Sequence, residues 1–181
     1  MKDTEHLGKL RAIQEHELEI MLEWRNRPAV RNSMFNTDII SFNDHLQWWE
    51  RTKRDDSLQY YFYEYKGAPY GVVCFKDIDK LKCQATWGFY TSPNAEQGMG
   101  TKMLLLALDL AFDDMKIHSV YGEVIEYNLS SIKIHEKLGF DRQISLGHHC
   151  SLNKEYEVYQ YKINEKSWSK SRDKIRALIK K

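Results

Sequence analysis

Several hallmarks of other protein classes are missing from this sequence. Its three cysteines, Cys74, Cys83 and Cys150, are an odd number without a CxxC spacing, so they predict buried thiols in a reducing compartment rather than a disulfide framework. No apolar run approaches the ~18 residues of a transmembrane helix and no signal peptide is visible, so we expect a cytoplasmic protein without a membrane partner. The Gly-Lys-Ser/Thr end of a P-loop is also absent, which excludes that kind of nucleotide site.

The chain also lacks an excess of charge of either sign. The 27 basic and 26 acidic residues give a net charge of +1, so the total does not favour nucleic acid as a partner. The 181 residues, 42% of them hydrophobic, suffice for one domain with a sizeable core, which we place at residues 1–163. Residues 164–181 carry seven basic and two acidic side chains, and we expect a basic helical tail that is solvated or partly frayed.

A metal site is not expected either. His148, His149 and Cys150 are ligand-type residues in a row, but adjacent residues on a strand point to opposite faces. No other pair of Cys or His has the spacing of a zinc site. The chemistry must therefore come from other motifs.

The first of these motifs lies within residues 86–112, where an apolar strand leads through a turn into a helix. The helix opens with Gly98 and Gly100 in the run Gln-Gly-Met-Gly-Thr. The first N–H groups of a helix lack intrahelical partners and carry partial positive charge, so they attract phosphate, and glycines let the backbone approach it closely. A dinucleotide fold would need a third glycine in register, which is missing.

Hydrophobic periodicity and turn residues predict the element order β-α-α-β-β-β-α-β-α-β. The predicted strands cover residues 10–13, 60–65, 70–75, 83–90, 119–126 and 155–163, and the main helices cover residues 15–27, 101–115 and 128–138, with one more beginning after Ser41. The two strands at 60–75 form a hairpin with a four-residue connection, and a last hairpin is built around Gly147 and Asn153-Lys154.

The second motif, residues 128–140, reads Asn-Leu-Ser-Ser-Ile-Lys-Ile-His-Glu-Lys-Leu-Gly-Phe. From its residues alone it is a capped helix ended by Gly139. Together with the glycine loop before it, however, the chain resembles motifs A and B of the GNAT superfamily of acetyl-CoA-dependent N-acetyltransferases. Two positions depart from the family pattern: Ala95 replaces the usual Gln or Arg of motif A, and His135 replaces the usual Tyr of motif B.

The resemblance implies a GNAT fold, a mixed α/β domain. It has a twisted, mostly antiparallel sheet of six to seven strands, a central splayed parallel pair, and helices on both faces. It also implies that acetyl-CoA lies between the splayed strands and that no metal is needed. The residues expected to contact acetyl-CoA are Phe89, Thr91, Gln97, Gly98, Met99, Gly100, Thr101, Asn128, Ser131 and His135.

Acetyl transfer to an amine needs a neutral acceptor and a proton donor for the thiolate that leaves. In the family the motif B tyrosine often serves as donor, so the resemblance implies that His135 donates the proton itself or positions the donor, such as a water that it holds. Glu126, His45 and Tyr90 are the candidates for the base. Each also has an ordinary structural interpretation, as a surface carboxylate, a histidine packed on tryptophan and a packed strand residue.

Two N-terminal segments bear on the acceptor. Residues 23–31 resemble a turn shared by ribosomal-protein, polyamine and amino-sugar acetyltransferases. Residues 41–49 are similar to enzymes that acetylate the 4-amino group of nucleotide-linked 4-amino-4,6-dideoxy sugars on the route to pseudaminic acid. A UDP-sugar brings phosphates and an aromatic base, which suit arginine and tryptophan. The residues expected to bind it are Arg25, Asn26, His45, Trp48, Trp49 and Tyr90.

Two alternatives stay open. One is another acceptor, a ribosomal-protein N-terminus or a polyamine, although a polyamine would favour an excess of carboxylates. The other is a non-catalytic module that binds acyl-CoA. The replacement of the usual family residues by Ala95 and His135 favours this alternative. The sequence is compatible with a monomer or a homodimer.

Overall fold

The computed structural model describes residues 5–151 and 154–179. The strands are Lys9–Ala12 (β1), Gln59–Tyr65 (β2), Ala68–Asp79 (β3), Gln84–Thr91 (β4), Ser119–Ile125 (β5), Asp141–Ser151 (β6) and Lys154–Asn164 (β7). The helices are Leu18–Asn26 (α1), Pro28–Arg31 (α2), Phe42–Thr52 (α3), Met99–Asp109 (α4), Leu129–Leu138 (α5) and Glu165–Ile179 (α6). Within these residues no helix combines the length and apolarity needed to cross a bilayer.

The strands form one sheet in the order β1-β2-β3-β4-β5-β7-β6. Strands β4 and β5 are parallel, and the other neighbouring pairs are antiparallel. The β4–β5 pairing runs from Gln84–Ser119 to Trp87–Gly122 and ends there, although both strands continue. The two strands therefore splay into a wedge, and the predicted fold class is confirmed.

Helices cover both faces of the sheet. Helix α4 is buried almost all round, which follows from its run of Met, Leu and Ala, and it packs with α5 and α6 on one face. Apolar residues of α1 and α3 form a second cluster on the other face. This second cluster contains Ile13, Leu18, Met21, Trp24, Trp49, Phe62 and Val72. The wedge between β4 and β5 thus has the layer of α4, α5 and α6 on one face and the layer of α1 and α3 on the other.

The C-terminal basic segment is an integral helix rather than a solvated tail. Trp168 and Ile175 are 1% and 2% exposed, and the Trp168 indole N–H donates to Asp109 at 3.0 Å. Arg172 and Arg176 each form an ion pair with Asp109 at 2.8 Å. Two of the seven basic side chains of this segment are therefore matched by a carboxylate at the end of α4. The last two residues of the predicted tail lie outside the described residues.

Three local predictions differ from the structure. Strand β6 was absent from the predicted element order, although a last hairpin around Gly147 and Asn153-Lys154 was expected, of which Asn153 lies outside the described residues. Residues 141–146 are exposed, so the alternation of Ile144 and Leu146 with polar residues marks no buried face. The β2–β3 hairpin turns on two residues, Lys66 and Gly67, both at positive φ, rather than on four. The central helix changes to a π turn over Leu110–Asp114 instead of continuing as an α-helix.

Candidate functional site

The wedge exposes one edge of β4. Residues 88–91 pair with β3 on one side, from Cys74 opposite Gly88 to Gly71 opposite Thr91. On the other side the pairing with β5 has already ended at Trp87. Unpaired strand edges offer N–H and C=O groups to an extended partner. The edge includes Phe89 and Thr91, two of the residues predicted to contact the acetyl group and the pantetheine arm.

The glycine loop has the geometry of an anion site. Gly98 lies at φ +92°, where glycine is favoured, and α4 begins at the next residue. A Cβ atom added at Gly98 would have no protein atom within 4 Å, so the space beside it is open. Lys137 of α5 places its ammonium 3.1 Å from the Thr101 hydroxyl in the first turn of α4. A cation beside the positive end of a helix suits an anion bound between them.

The predicted cofactor residues of motif B have local structural roles. The Asn128 side chain caps α5 by accepting the N–H of Ser131 at 3.1 Å, and Gly139 ends the helix at φ +91°. The Ser131 hydroxyl lies 3.4 Å from Nδ1 of His135. The motif therefore fixes the start, the end and the inward face of α5.

His135 sits beneath the point where the wedge opens. Its Nε2 lies 3.0 Å from the indole Nε1 of Trp87, and its Nδ1 lies 2.7 Å from the Ser131 carbonyl oxygen. An indole N–H can only donate and a carbonyl can only accept, so Nε2 is the acceptor and Nδ1 carries the hydrogen. The ring is 2% exposed and packs among aromatic rings.

This arrangement contradicts the donor role predicted for His135. Its one hydrogen is already given to Ser131, and its Nε2 has no hydrogen to offer. Burial lowers the pKa of His135 from 6.5 to about 4, so an imidazolium does not form at neutral pH. We therefore assign His135 a structural role at the apex of the wedge.

The low pKa of His135 makes a testable link between stability and pH. The unfolded chain binds a proton at this histidine below pH 6.5, whereas the folded chain resists it until about pH 4. Folding stability should thus be complete above pH 6.5 and fall between pH 6.5 and 4, by about 3 kcal/mol for this group. Urea unfolding at several pH values should show this slope, and His135→Gln should flatten it. An equal slope in both proteins would contradict the assignment.

A cavity of about 610 Å³ opens on the other face of the sheet. It lies against β4 at residues 88–90 and is enclosed by α1, α3, β2, β3 and the segment between α2 and α3. Four of the six predicted acceptor-binding residues line it, namely Arg25, His45, Trp48 and Tyr90. The cavity also reaches Phe89, so it adjoins the wedge.

His45 presents a buried nitrogen in this cavity. The residue is 4% exposed, its ring stacks on Trp48 with centroids 5.0 Å apart, and its Nε2 has no hydrogen-bond partner. Burial, and then the charge of Arg25, lower the pKa of His45, so the ring is neutral at neutral pH. A buried unpaired nitrogen costs free energy unless a ligand satisfies it.

Arg25 supplies a second unpaired group. Its Nη2 donates to the Asn36 carbonyl at 2.7 Å, while its Nη1 is buried without a partner. Burial lowers the pKa of this guanidinium, yet arginine stays charged in proteins. The lining of the cavity therefore includes a half-buried positive charge, one of whose donors has no protein partner.

Tyr90 and Cys74 form the floor. The Tyr90 hydroxyl donates to the Met21 carbonyl at 3.4 Å, and burial raises the pKa of the Tyr90 phenol, so it keeps its proton at neutral pH. Tyr90 is thus unsuited to the role of base and could only donate. Burial likewise raises the pKa of the Cys74 thiol.

Three predicted site residues do not face the cavity. The Asn26 amide is used by the backbone of Ile40. Trp49 is 8% exposed and packs in the second apolar cluster. Glu126 follows β5, and its N–H donates to the Glu157 carbonyl. Asn26 and Trp49 therefore build the wall behind the site, and Glu126 lies apart from it.

Sequence reasoning missed the segment that closes the cavity. It contributes Met34, Asn36, Asp38, Ile39 and Ile40. These residues have no helical or alternating pattern, and only the polar cluster Asn-Thr-Asp at 36–38 marks the segment as a turn.

Comparisons with known proteins agree with this geometry. Residues 9–141 match the family model described as an acetyltransferase (GNAT) domain. The chain is 26% identical to acetyltransferase PseH of Campylobacter jejuni over 128 residues, 71% of this chain and 79% of that protein. It is 25% identical to spermidine N(1)-acetyltransferase of Escherichia coli over 152 residues, 83% of this chain and 82% of that protein.

A solved structure shares the fold. Spermidine N-acetyltransferase from Vibrio cholerae, in complex with CoA and spermine, superimposes with a TM-score of 0.82 at 19% identity, covering 89% of this chain and 97% of that chain. The family model spans most of the chain, and the seven-stranded sheet with its parallel β4–β5 pair is the architecture of this family. The chain therefore belongs to the GNAT family of acetyl-CoA-dependent N-acetyltransferases.

Proposed function

We propose that this enzyme transfers the acetyl group of acetyl-CoA to the 4-amino group of a UDP-linked 4-amino-4,6-dideoxy sugar. The observation that carries the proposal is a pair of buried groups without a protein partner on two residues that line the cavity, Nη1 of Arg25 and Nε2 of His45. A nucleotide-linked sugar offers phosphate and hydroxyl oxygens that satisfy such groups. The Trp48 ring in the same cavity is a stacking surface for an aromatic base.

A polyamine is the second candidate. Asp38 and Asp44 line the mouth of the cavity, and the similarity to spermidine acetyltransferases equals that to other relatives. Both carboxylates belong to exposed residues, however, and Asp44 already accepts the Ser41 hydroxyl at 2.6 Å. Arg25 is half-buried, so its charge is less screened than those of the two carboxylates and repels a polycation. The N-terminus of a ribosomal protein remains a further alternative.

For acetyl-CoA, the open edge of β4 and the start of α4 supply complementary parts of one site. The pantetheine arm would lie along residues 88–91, and the pyrophosphate would lie at Gly98 beside Lys137. Both features lie on the wedge, and the acceptor cavity adjoins it at Phe89. Acyl donor and acceptor would thus meet at the wedge from opposite faces of the sheet.

Replacing Gly98 by valine tests this placement. Valine is strained at a φ of +92°, and its side chain would fill the open space where we place the pyrophosphate. Affinity for acetyl-CoA should fall by about tenfold or more, which corresponds to losing roughly one charge-assisted hydrogen bond. Titration calorimetry with CoA measures it, and Gly67→Val, at another positive φ, is the control for strain. Equal CoA affinity in wild type and Gly98→Val would contradict the site.

The proton transfers follow from the two titratable groups in the cavity. Neutral His45 can take a proton from the acceptor ammonium, which leaves a neutral amine to attack the thioester carbon. As the amide forms and the C–S bond breaks, the nitrogen loses a second proton and the leaving thiolate takes one up. We propose that Tyr90, which is protonated at neutral pH and makes only a 3.4 Å bond to the Met21 carbonyl, gives its proton to the thiolate and receives the one that the nitrogen loses. The proton on His45 returns to solvent.

Thiol release from acetyl-CoA, followed with a thiol reagent, tests the function. The acceptors to compare are a UDP-linked 4-amino-4,6-dideoxy sugar, spermidine and an N-terminal peptide. The sugar should give the fastest release. Thiol release with none of the three while CoA still binds would favour a non-catalytic acyl-CoA-binding module, and faster release with spermidine would favour the polyamine.

A further inference from the structure

The segment between α2 and α3 forms one wall of the acceptor cavity and is held mainly by side chains. We call residues 32–40 the acceptor strap; it supplies five residues of the cavity lining. Within the described part of the chain, the backbone of residues 35–40 makes no hydrogen bond to another backbone group. Backbone polar groups need partners, so the shape of this wall depends on side chains that bond to it.

Asn26, the last residue of α1, holds the C-terminal end of the acceptor strap. Its Nδ2 donates to the Ile40 carbonyl at 2.8 Å, and its Oδ1 accepts the Ile40 N–H at 2.9 Å. The Asn26 amide thus satisfies both backbone groups of Ile40, as the backbone of a neighbouring strand would. Only a side chain with both a donor and an acceptor at this length can do so, which gives a physical reason for asparagine here.

Two arginines hold the middle of the acceptor strap. Arg25 donates to the Asn36 carbonyl and Arg31 donates to the Thr37 carbonyl, each at 2.7 Å. Asn36 itself lines the cavity, and Thr37 lies between the lining residues Asn36 and Asp38. The middle of the strap is therefore tied to α1 and α2.

Tyr127 holds the N-terminal end from the other side of the wedge. This residue follows β5, and its hydroxyl donates to the Asn32 carbonyl at 2.9 Å. Its ring packs edge-on against Tyr156 of β7, and the strap's Phe35 packs edge-on against His149 of β6. The acceptor strap thereby reaches from α1 to the strands beyond the wedge.

We infer that Asn26 and Tyr127 are positioning residues of the acceptor site, which pin the two ends of the strap so that Asn36 and Ile40 line the cavity correctly. Neither side chain touches the reacting atoms. The inference rests on the proposed function only in that the cavity receives the acceptor amine. It makes the strap a determinant of acceptor affinity and leaves the acetyl-CoA site unaffected.

The test uses the full chain with Tyr127→Phe, which removes a single hydroxyl, and Asn26→Ala, which removes both bonds to Ile40. Glu23→Ala, on the exposed face of α1, is the matched control. With the UDP-linked 4-amino-4,6-dideoxy sugar as probe, KM for the acceptor should rise about tenfold in Asn26→Ala and a few-fold in Tyr127→Phe, as expected for the loss of two and one hydrogen bonds. KM for acetyl-CoA should stay at the wild-type value.

Amide hydrogen exchange supplies a readout without substrate. The peptide covering residues 35–41 should exchange faster in both variants, and peptides of α4 should exchange as in wild type. If the sugar is not a substrate, the same kinetics are measured with spermidine, so failure of the proposed function does not remove this test. Unchanged exchange of the strap, or equal changes in the KM values of acceptor and acetyl-CoA, would overturn the inference.

Discussion

Replacing Gly122 by alanine is expected to destabilise the protein by about 3 kcal/mol, the upper part of the range for overpacked cores. A Cβ atom on Gly122 would lie 2.9 Å from the indole Nε1 of Trp87 and 2.9 Å from Cδ2 of His135, and closer still to Nε2 of His135. Both rings are buried and joined by a hydrogen bond, so neither can move without breaking it. Denaturant unfolding of wild type and Gly122→Ala measures the difference.

Two further variants identify the cause. Gly100→Ala is the control, because its Cβ would meet only Thr91 at an ordinary 3.6 Å and alanine is the better helix residue. Gly122→Ala combined with His135→Ala should lose less stability than the sum of the single changes, because the second removes part of the clash. Wild-type stability in Gly122→Ala would contradict the tight packing at the apex of the wedge.

Replacing His45 should produce the largest loss of activity. If its neutral ring takes a proton from the acceptor, His45→Ala should lower kcat/KM for the UDP-sugar by about 100-fold or more, as general bases contribute ~100–10,000-fold. Acetyl-CoA affinity should not change, because the cofactor site lies on the other side of β4. Steady-state kinetics and CoA titration check the two halves of this prediction.

His45→Phe separates base chemistry from packing. Phenylalanine keeps a flat ring that can stack on Trp48 but has no nitrogen. Its activity should be as low as that of His45→Ala, whereas Gln47→Ala, exposed on the same helix, should behave like wild type. Wild-type turnover in His45→Phe would assign the proton to another group.

The fold was predictable because its signals are local. The glycine at the start of α4, the apolar run that follows it, the Asn128 cap and the Gly139 stop each fix one boundary. The turn residues around Gly147 and Asn153-Lys154 indicated a last hairpin, but the bounds of β6 were not predictable, since pairing with β7 rather than an apolar face defines this strand.

The sequence indicated which residues gather at the site, but not the hydrogen-bond partners of each side chain. Arg25, His45, Trp48 and Tyr90, which the family resemblance predicts as acceptor-binding residues, line one cavity in the structure, and their binding role stays a prediction. His135 was misassigned as the donor because the motif gives its place on α5 but not its neighbours. Only the structure shows that Trp87 and Ser131 occupy both of its nitrogens.

Asn26 shows the same limit in another form. Its position beside Arg25 in a turn motif indicated substrate binding, whereas its amide bonds to Ile40, fourteen positions later. A side chain that completes a distant backbone leaves no periodic signal, so such roles emerge only once the chain is folded.

A single competition reaction tests the central claim most directly. Wild-type enzyme is given acetyl-CoA with the UDP-linked 4-amino-4,6-dideoxy sugar and spermidine at equal concentrations, and the acetylated products are counted by mass spectrometry. Because the positive charge of half-buried Arg25 lines the cavity, the N-acetylated sugar should be the main product. A mixture dominated by N-acetylspermidine would contradict the account.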